Sequence, residues 1–112
     1  MAPREERILF VCSGNMYRSP TAEDMLRERG YGEVRSAGTH PGAPTRLTRE
    51  LVGWADRIFA MEEEHRVFIV GMWPEAEGKI TVLGIPDVYW RNDPTLRRIL
   101  EEKLSAHLKL DE

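Results

Sequence analysis

Apolar residues along the 112-residue chain gather into short runs, set between stretches where apolar positions return every three or four residues. Ile8, Leu9, Phe10 and Val11 form the first run, without a polar interruption, which predicts a strand buried on both faces of a parallel sheet. Ala22, Met25 and Leu26 then recur at helical spacing, and Gly30, after Arg27 and Arg29, is a suitable helix terminator. Residues 34–37 predict a second strand stopped by Gly38, and 39–44, with Pro41, Gly42 and Pro44, a loop. Thr48 is placed to cap a helix carrying Leu51, Val52 and Trp54 or Ala55 that ends near Asp56.

Residues 57–61 predict a third strand. The stretch that follows is ambiguous, because Val67, Phe68, Ile69 and Val70 are contiguous and β-favouring, and periodicity alone leaves helix and strand open over 66–72. Glu62, Glu63 and Glu64 sit where a helix N-terminus favours negative charge, and Pro74 supplies a stop, so a buried helix over 62–72 is the reading adopted. A turn at 75–78, a fourth strand at 80–83 and a loop at 84–94 lead to a last helix over 94–108, with Leu96, Ile99, Leu100, Leu104 and Leu108 on one stripe. This alternation implies a single α/β domain over 1–112: a four-stranded parallel sheet flanked by helices on both faces, in flavodoxin-like layering. Ligands of such sheets bind at the strands' C-terminal edge, where Cys12, Asp87 and Asp93 all fall.

Composition narrows the function classes. With 41% hydrophobic and 31% charged residues the chain reads as an ordinary globular protein. No apolar run approaches a membrane span, and residues 1–7 read as a solvated lead-in without the apolar core of a signal peptide, so the expected location is cytoplasmic and no membrane partner is expected. A net charge of −3 without a basic run argues against nucleic acid. The one cysteine excludes an internal disulfide and suits a reducing compartment. His40, His65 and His107 have no spacing that pairs two on one helical face, so they read as surface histidines and no metal site is expected. Trp54 and Trp73 read as core or interface fillers, and the pattern leaves oligomeric state open.

Chemistry concentrates between Cys12 and Arg18. The five residues between them include Gly14 and Asn15, the types most tolerant of left-handed backbone, so a tight loop joins the end of the first strand to the start of the first helix. Ser19 is available as the helix cap, with Pro20 preset for the first turn. Backbone N–H groups of such a loop converge, the helix N-terminus adds partial positive charge, and Arg18 brings a planar two-pronged donor, which together make a cradle for a tetrahedral dianion. Cys12 lies in the same field as a nucleophile, with the Ser19 hydroxyl able to donate to its sulfur.

Cys12-Ser13-Gly14-Asn15-Met16-Tyr17-Arg18-Ser19, after a buried strand and before Pro20, resembles the phosphate-binding loop of low-molecular-weight protein tyrosine phosphatases, and the likeness continues through Ala22 and Glu23. A compact bacterial-type member is the nearest likeness. Ser36-Ala37-Gly38-Thr39 resembles the run that leads toward a loop walling the family's active site, a wall that is short here. Ile85-Pro86-Asp87-Val88-Tyr89-Trp90 resembles the segment that supplies the family's general acid, although Val88 stands where proline is usual and Asp93-Pro94 offers a second pair.

The resemblance implies a phosphatase acting on phosphotyrosine proteins or aryl phosphate monoesters through a phosphocysteine on Cys12, releasing inorganic phosphate without cofactor or metal. In that reading residues 13–19, namely Ser13, Gly14, Asn15, Met16, Tyr17, Arg18 and Ser19, hold the phosphate. Asp87 is the acid and base, and Tyr89 and Trp90 wall the pocket with Tyr17 at its entrance. Asp93 is the alternative acid or else a helix cap. The rival functions are a phosphate- or phosphopeptide-binding module lacking efficient turnover, and an arsenate reductase relying on external thiols. A sugar-transport phosphocarrier is disfavoured by Arg18.

Overall fold

Strand β1, Ile8–Cys12, is buried along its whole length and lies in the middle of the sheet. The computed structural model describes residues 5–110; residues 1–4 of the expected lead-in and 111–112 of the expected domain lie outside them. Helix α1, Arg18–Glu28, returns the chain to β2, Val34–Gly38, and α2, Arg49–Trp54, leads to β3, Arg57–Ala60. Helix α3, Glu63–Met72, a 3₁₀ turn over Pro74–Lys79, β4 over Ile80–Val82 and α4 over Pro94–Leu104 complete the order. All strands are parallel in the order β2-β1-β3-β4, with Cys12 beside Gly38 and Val11 beside Ala60.

A central strand covered on both faces must be apolar at every position, and β1 divides its side chains accordingly. Ile8, Phe10 and Cys12 pack with Ala22, Met25 and Leu26 of α1 and Leu96, Leu100 and Leu104 of α4. Leu9 and Val11 face the other way, among Val52, Ile58, Ile69 and Trp73. The sheet is therefore sandwiched by α1 and α4 on one side and α2 and α3 on the other, the predicted four-stranded α/β arrangement.

Several boundaries differ from the sequence reading. Thr48 caps α2 as expected, accepting from the Leu51 N–H at 3.2 Å. Over 66–72 the chain is helical, yet α3 is only half covered: His65 and Ile69 are buried, whereas Val67, Phe68 and Met72 face outward. A β-favouring run stays helical here because residues 65 and 69 share one stripe over the sheet. Helix α4 stops at Leu104 rather than 108, and Leu108 and Leu110 reach the core from the turn and irregular chain beyond it. Trp73 fills the core and Trp54 is half-buried beneath the Arg35 guanidinium, 4.4 Å from its ring centre.

The C-terminal edge of the sheet is stitched tightly. Beyond β1 and β2, Cys12 O accepts from Thr39 N and Ser13 O from His40 N, both at 3.0 Å. Gly38 lies under this crossing, where an added Cβ would stand 2.6 Å from Ser13 O and 2.7 Å from Ala43 Cβ. Since the first obstacle is backbone, Gly38→Ala is expected to cost about 1–3 kcal/mol of unfolding free energy, measured by urea titration.

Candidate active site

The loop leaving β1 is shaped by Asn15. Its backbone is left-handed, with φ of 55°, a conformation Asn tolerates better than most residues. Its side chain holds that shape from three directions. Nδ2 donates to Ser19 Oγ and to Ser36 Oγ, both at 3.0 Å, and Oδ1 accepts from Thr45 N at 3.1 Å. Ser36 passes its own proton to Glu23 Oε1 at 2.7 Å. The Ser36-Ala37-Gly38-Thr39 run thus touches the residues of the loop after β1 directly.

Cys12 is 2% exposed but not enclosed by apolar groups alone. Asn15 N–H points at its sulfur from 3.2 Å, and Ser19 Oγ lies 3.0 Å away. Because the Ser19 oxygen already accepts from Asn15, its hydroxyl proton is free to face the sulfur. This corrects the expected role of Ser19 as the helix cap. The N-cap of α1 is Tyr17, which makes no side-chain capping bond, and Ser19 serves the thiol instead.

Arg18, at the other end of the loop, is 1% exposed. Its Nη1 donates to Glu62 Oε1 and to Ile85 O, both at 2.8 Å. Nε is buried and finds no hydrogen-bond partner among the described residues, with Asp87 Oδ1 at 3.6 Å. Two anchors on Nη1 thus fix the guanidinium plane and leave Nε and Nη2 without a hydrogen bond to the described residues, an arrangement suited to an oxyanion.

Asp87 stands at the mouth, 56% exposed, in a cleft of ≈ 320 Å³ lined with Tyr17, Val88, Tyr89 and Trp90. Tyr17 meets Trp90 edge-on at 5.6 Å, and Tyr89 leans on the core. Within the loop Met16 is exposed, and Gly14 has open space around it. Asp93 lies apart in role: it caps α4, accepting from Thr95 N at 2.8 Å.

Two residues of this region were not singled out from the sequence. Glu62, read only as complementing a helix dipole, is the counter-ion of Arg18. His65, read as a surface histidine, is 1% exposed, its Nδ1 accepting from Glu62 N at 3.0 Å and its Nε2 standing 2.8 Å from Ser13 Oγ. The Glu62-x-x-His65 spacing at the start of a helix was the available signal. Ligand atoms of Glu62, Glu64 and His65 lie within 4.8 Å of one another, but both ring nitrogens and Glu62 Oε1 are engaged in the contacts just described. His40 and His107 are exposed, as expected.

Burial, and next the Arg18 charge, hold the His65 imidazole below its ordinary value, against the opposing carboxylates of Glu64, Glu62 and Asp87. The folded state then binds fewer protons than the unfolded one just below the ordinary imidazole value of about 6.5, so stability decreases as pH is lowered there. The contribution is fully present above that value and lost as pH drops through the lower folded one. Urea midpoints are expected to decline over this window in the wild type and to decline less in His65→Asn.

Comparison with known proteins gives a consistent pattern. The family model described as low molecular weight phosphotyrosine protein phosphatase matches residues 7–51. The chain is 32% identical to the low molecular weight protein-tyrosine-phosphatase Etp of Escherichia coli K12, over 82% of this chain and 83% of that protein. It is also 32% identical to the protein-arginine-phosphatase of Geobacillus stearothermophilus, over 69% of this chain and 68% of that one. The crystal structure of the tyrosine phosphatase Wzb from Escherichia coli K30 in complex with phosphate superposes with a TM-score of 0.76 at 28% identity, covering 91% of this chain and 95% of that one. The arginine phosphatase YwlE from Geobacillus stearothermophilus superposes at 0.71 with 27% identity, covering 89% and 86%. Among the described residues no helix is long and apolar enough to cross a membrane.

Proposed function

The chain belongs to the low molecular weight phosphotyrosine protein phosphatase family, and we propose that it hydrolyses phosphotyrosine or other aryl phosphate monoesters through a phosphocysteine intermediate on Cys12. The observation that carries this reading is the buried Arg18 guanidinium, pinned at Nη1 and uncommitted at Nε, at one end of a loop whose Asn15 N–H points at the Cys12 sulfur at the other. Loop amides and Arg18 hold the three non-bridging oxygens of the phosphoryl group. The Cys12 thiolate attacks phosphorus, an S–P bond forms, and the P–O bond to the aryl group breaks as the carboxyl proton of Asp87 passes to the leaving oxygen. In the second step Asp87, now a carboxylate, takes a proton from water as that water attacks phosphorus. The S–P bond breaks, inorganic phosphate departs, and the Ser19 hydroxyl and Asn15 N–H receive the sulfur as thiolate. Tyr17, Tyr89 and Trp90 flank the substrate ring. The reading carries a cytoplasmic location with it, since the thiol it depends on persists in a reducing compartment.

A second reading, removal of phosphate from arginine, has the support of the 32% identity to a protein-arginine-phosphatase. The first reading is kept because the aromatic walls of the cleft offer an aryl ring surfaces to stack and pack against.

Initial rates on a phosphotyrosine peptide and a phosphoarginine peptide of the same sequence separate the two, with the former expected to be faster. On the aryl substrate Cys12→Ser is expected to show no turnover above background, and Arg18→Ala to lose roughly 10²–10³-fold or more. Asp87→Ala is expected to fall about 10²–10⁴-fold in kcat. Asp93→Ala is expected to keep near wild-type turnover while losing about 1 kcal/mol of stability as a cap. A crippled Asp93→Ala beside an intact Asp87→Ala would overturn the acid assignment. Binding of phosphate by a wild type that hydrolyses neither peptide would mark a binding module.

A further inference from the structure

His65 has no part in the phosphoryl chemistry above, yet its ring is almost wholly buried between the two structures that chemistry needs. Its hydrogen bonds define its tautomer. Nδ1 accepts from the Glu62 N–H at 3.0 Å, so in the neutral ring the proton is on Nε2 and is donated to Ser13 Oγ at 2.8 Å. The Ser13 hydroxyl proton is then directed outward to Glu64 Oε2, at 3.4 Å. The chain of donors runs one way, from the Glu62 amide through the imidazole and Ser13 to the Glu64 carboxylate.

Both ends of the ring matter. Ser13 follows Cys12 directly, and its carbonyl is the acceptor that ties the loop to His40 N at 3.0 Å. Glu62, whose amide the ring holds, carries the carboxylate that pins Arg18 Nη1 at 2.8 Å. One imidazole thus bridges the nucleophile's loop and the counter-ion of the phosphate-binding arginine, residues brought together from 49 positions apart in sequence by the pairing of β1 with β3.

We propose that His65 is a positioning residue of the phosphate site: as the neutral Nε2–H tautomer it ties Ser13 to the Glu62 amide, keeping loop and guanidinium in register, and its protonation releases that tie. The proposal rests on the preceding reading of Cys12 and Arg18. A protonated ring has N–H groups on both nitrogens, so Nδ1 would confront the Glu62 amide donor to donor. The groups facing the ring are Arg18 from α1, which opposes a second positive charge, Glu62 and Glu64 from the start of α3, and Asp87 from the loop after β4, which favour it. Burial and Arg18 prevail, and the ring is neutral near pH 7.

The test joins ¹⁵N NMR of the imidazole to inorganic phosphate titration and aryl phosphate kinetics on Ser13→Ala, His65→Asn and the double variant. NMR on the wild type is expected to show the Nε2–H tautomer at pH 7. A ring protonated on Nδ1, or doubly protonated, at that pH would overturn the proposal. Each single variant, checked for folding by its unfolding curve, is expected to lose about tenfold in kcat/KM and to weaken phosphate inhibition in parallel, with the double variant no worse than the poorer single one. Wild-type values in Ser13→Ala, or losses that simply add, would overturn it too. The ratio of wild-type to His65→Asn phosphate affinity is expected to fall toward one as pH drops through the titration of the ring, a change that a merely structural histidine would not produce. Should the wild type hydrolyse no aryl phosphate, the preceding reading fails while the tautomer and the phosphate titrations still decide this one.

Discussion

A guanidinium group 1% exposed inside a small domain is the constraint to which the rest of the structure answers. An arginine cannot shed its charge to escape burial, so the fold must surround it with acceptors. Glu62 supplies a carboxylate and Ile85 a carbonyl, each at 2.8 Å from the same Nη1. Those two acceptors come from the ends of β3 and β4, on the far side of the sheet order from β2. The strand order β2-β1-β3-β4 is what makes this possible, because the residues after β3 then emerge beside those after β1. In a sheet ordered as the sequence runs, β2 would stand between them, and Arg18 would face Gly38 and Thr39 instead of a carboxylate.

The opposite side of the loop meets a different demand. A left-handed Asn15 is a local strain, tolerated here because its amide side chain makes three hydrogen bonds and so links β2, the 39–47 segment and α1 to one point. Ser19 completes the division: it lies inside the first turn of α1 and faces the sulfur, while Tyr17 at the N-cap makes no side-chain capping bond, so the field of the uncapped helix N-terminus remains directed at the loop. The loop is therefore gripped at its middle by β2 and at its ends by β1 and α1. Rigidity of this kind places dipoles before a ligand arrives, which is the condition under which they stabilise transferring charge most.

How much of this was legible in the chain depended on distance in sequence. The Ile8–Val11 run, the Cys12–Arg18 spacing and the Thr48 cap are local patterns, and each corresponds to an element the structure contains. Glu62 was read correctly at the helix start but without its ion pair, and His65 was misread, because their partners lie 44 and 52 residues away and only the sheet order brings them near. Residues 66–72 were undecided for a related reason. Their β-branched run carries no signal of its own for which two side chains, His65 and Ile69, will be covered, and the answer comes from the sheet beneath. The overlong last helix arose because Leu108 continues the leucine stripe of α4 in sequence while reaching the core from a turn.

The loop that carries Asp87 is built differently from the pocket around Arg18, and the difference suits the acid role proposed for Asp87. Gly84, with φ of +73°, turns the chain out of β4, and Ile85 fastens it by a carbonyl to Arg18 and by its N–H to Met61 O at 2.8 Å. At the other end Asn92 N donates to Thr21 Oγ1 at 2.8 Å, and Asp93 begins α4. Between these anchors, residues 86–91 are held by side chains: Asp87 near Arg18 Nε, Tyr89 against the core, Trp90 edge-on to Tyr17 and Arg91 with Asp24. A carboxyl that must give a proton to a leaving group and recover one from water needs access to both substrate and solvent, which deep burial would deny it. In the proposed mechanism the fixed guanidinium and the tethered but solvated carboxyl divide the work: Arg18 holds charge in a site that does not reorganise, and Asp87 moves protons where water can replace them.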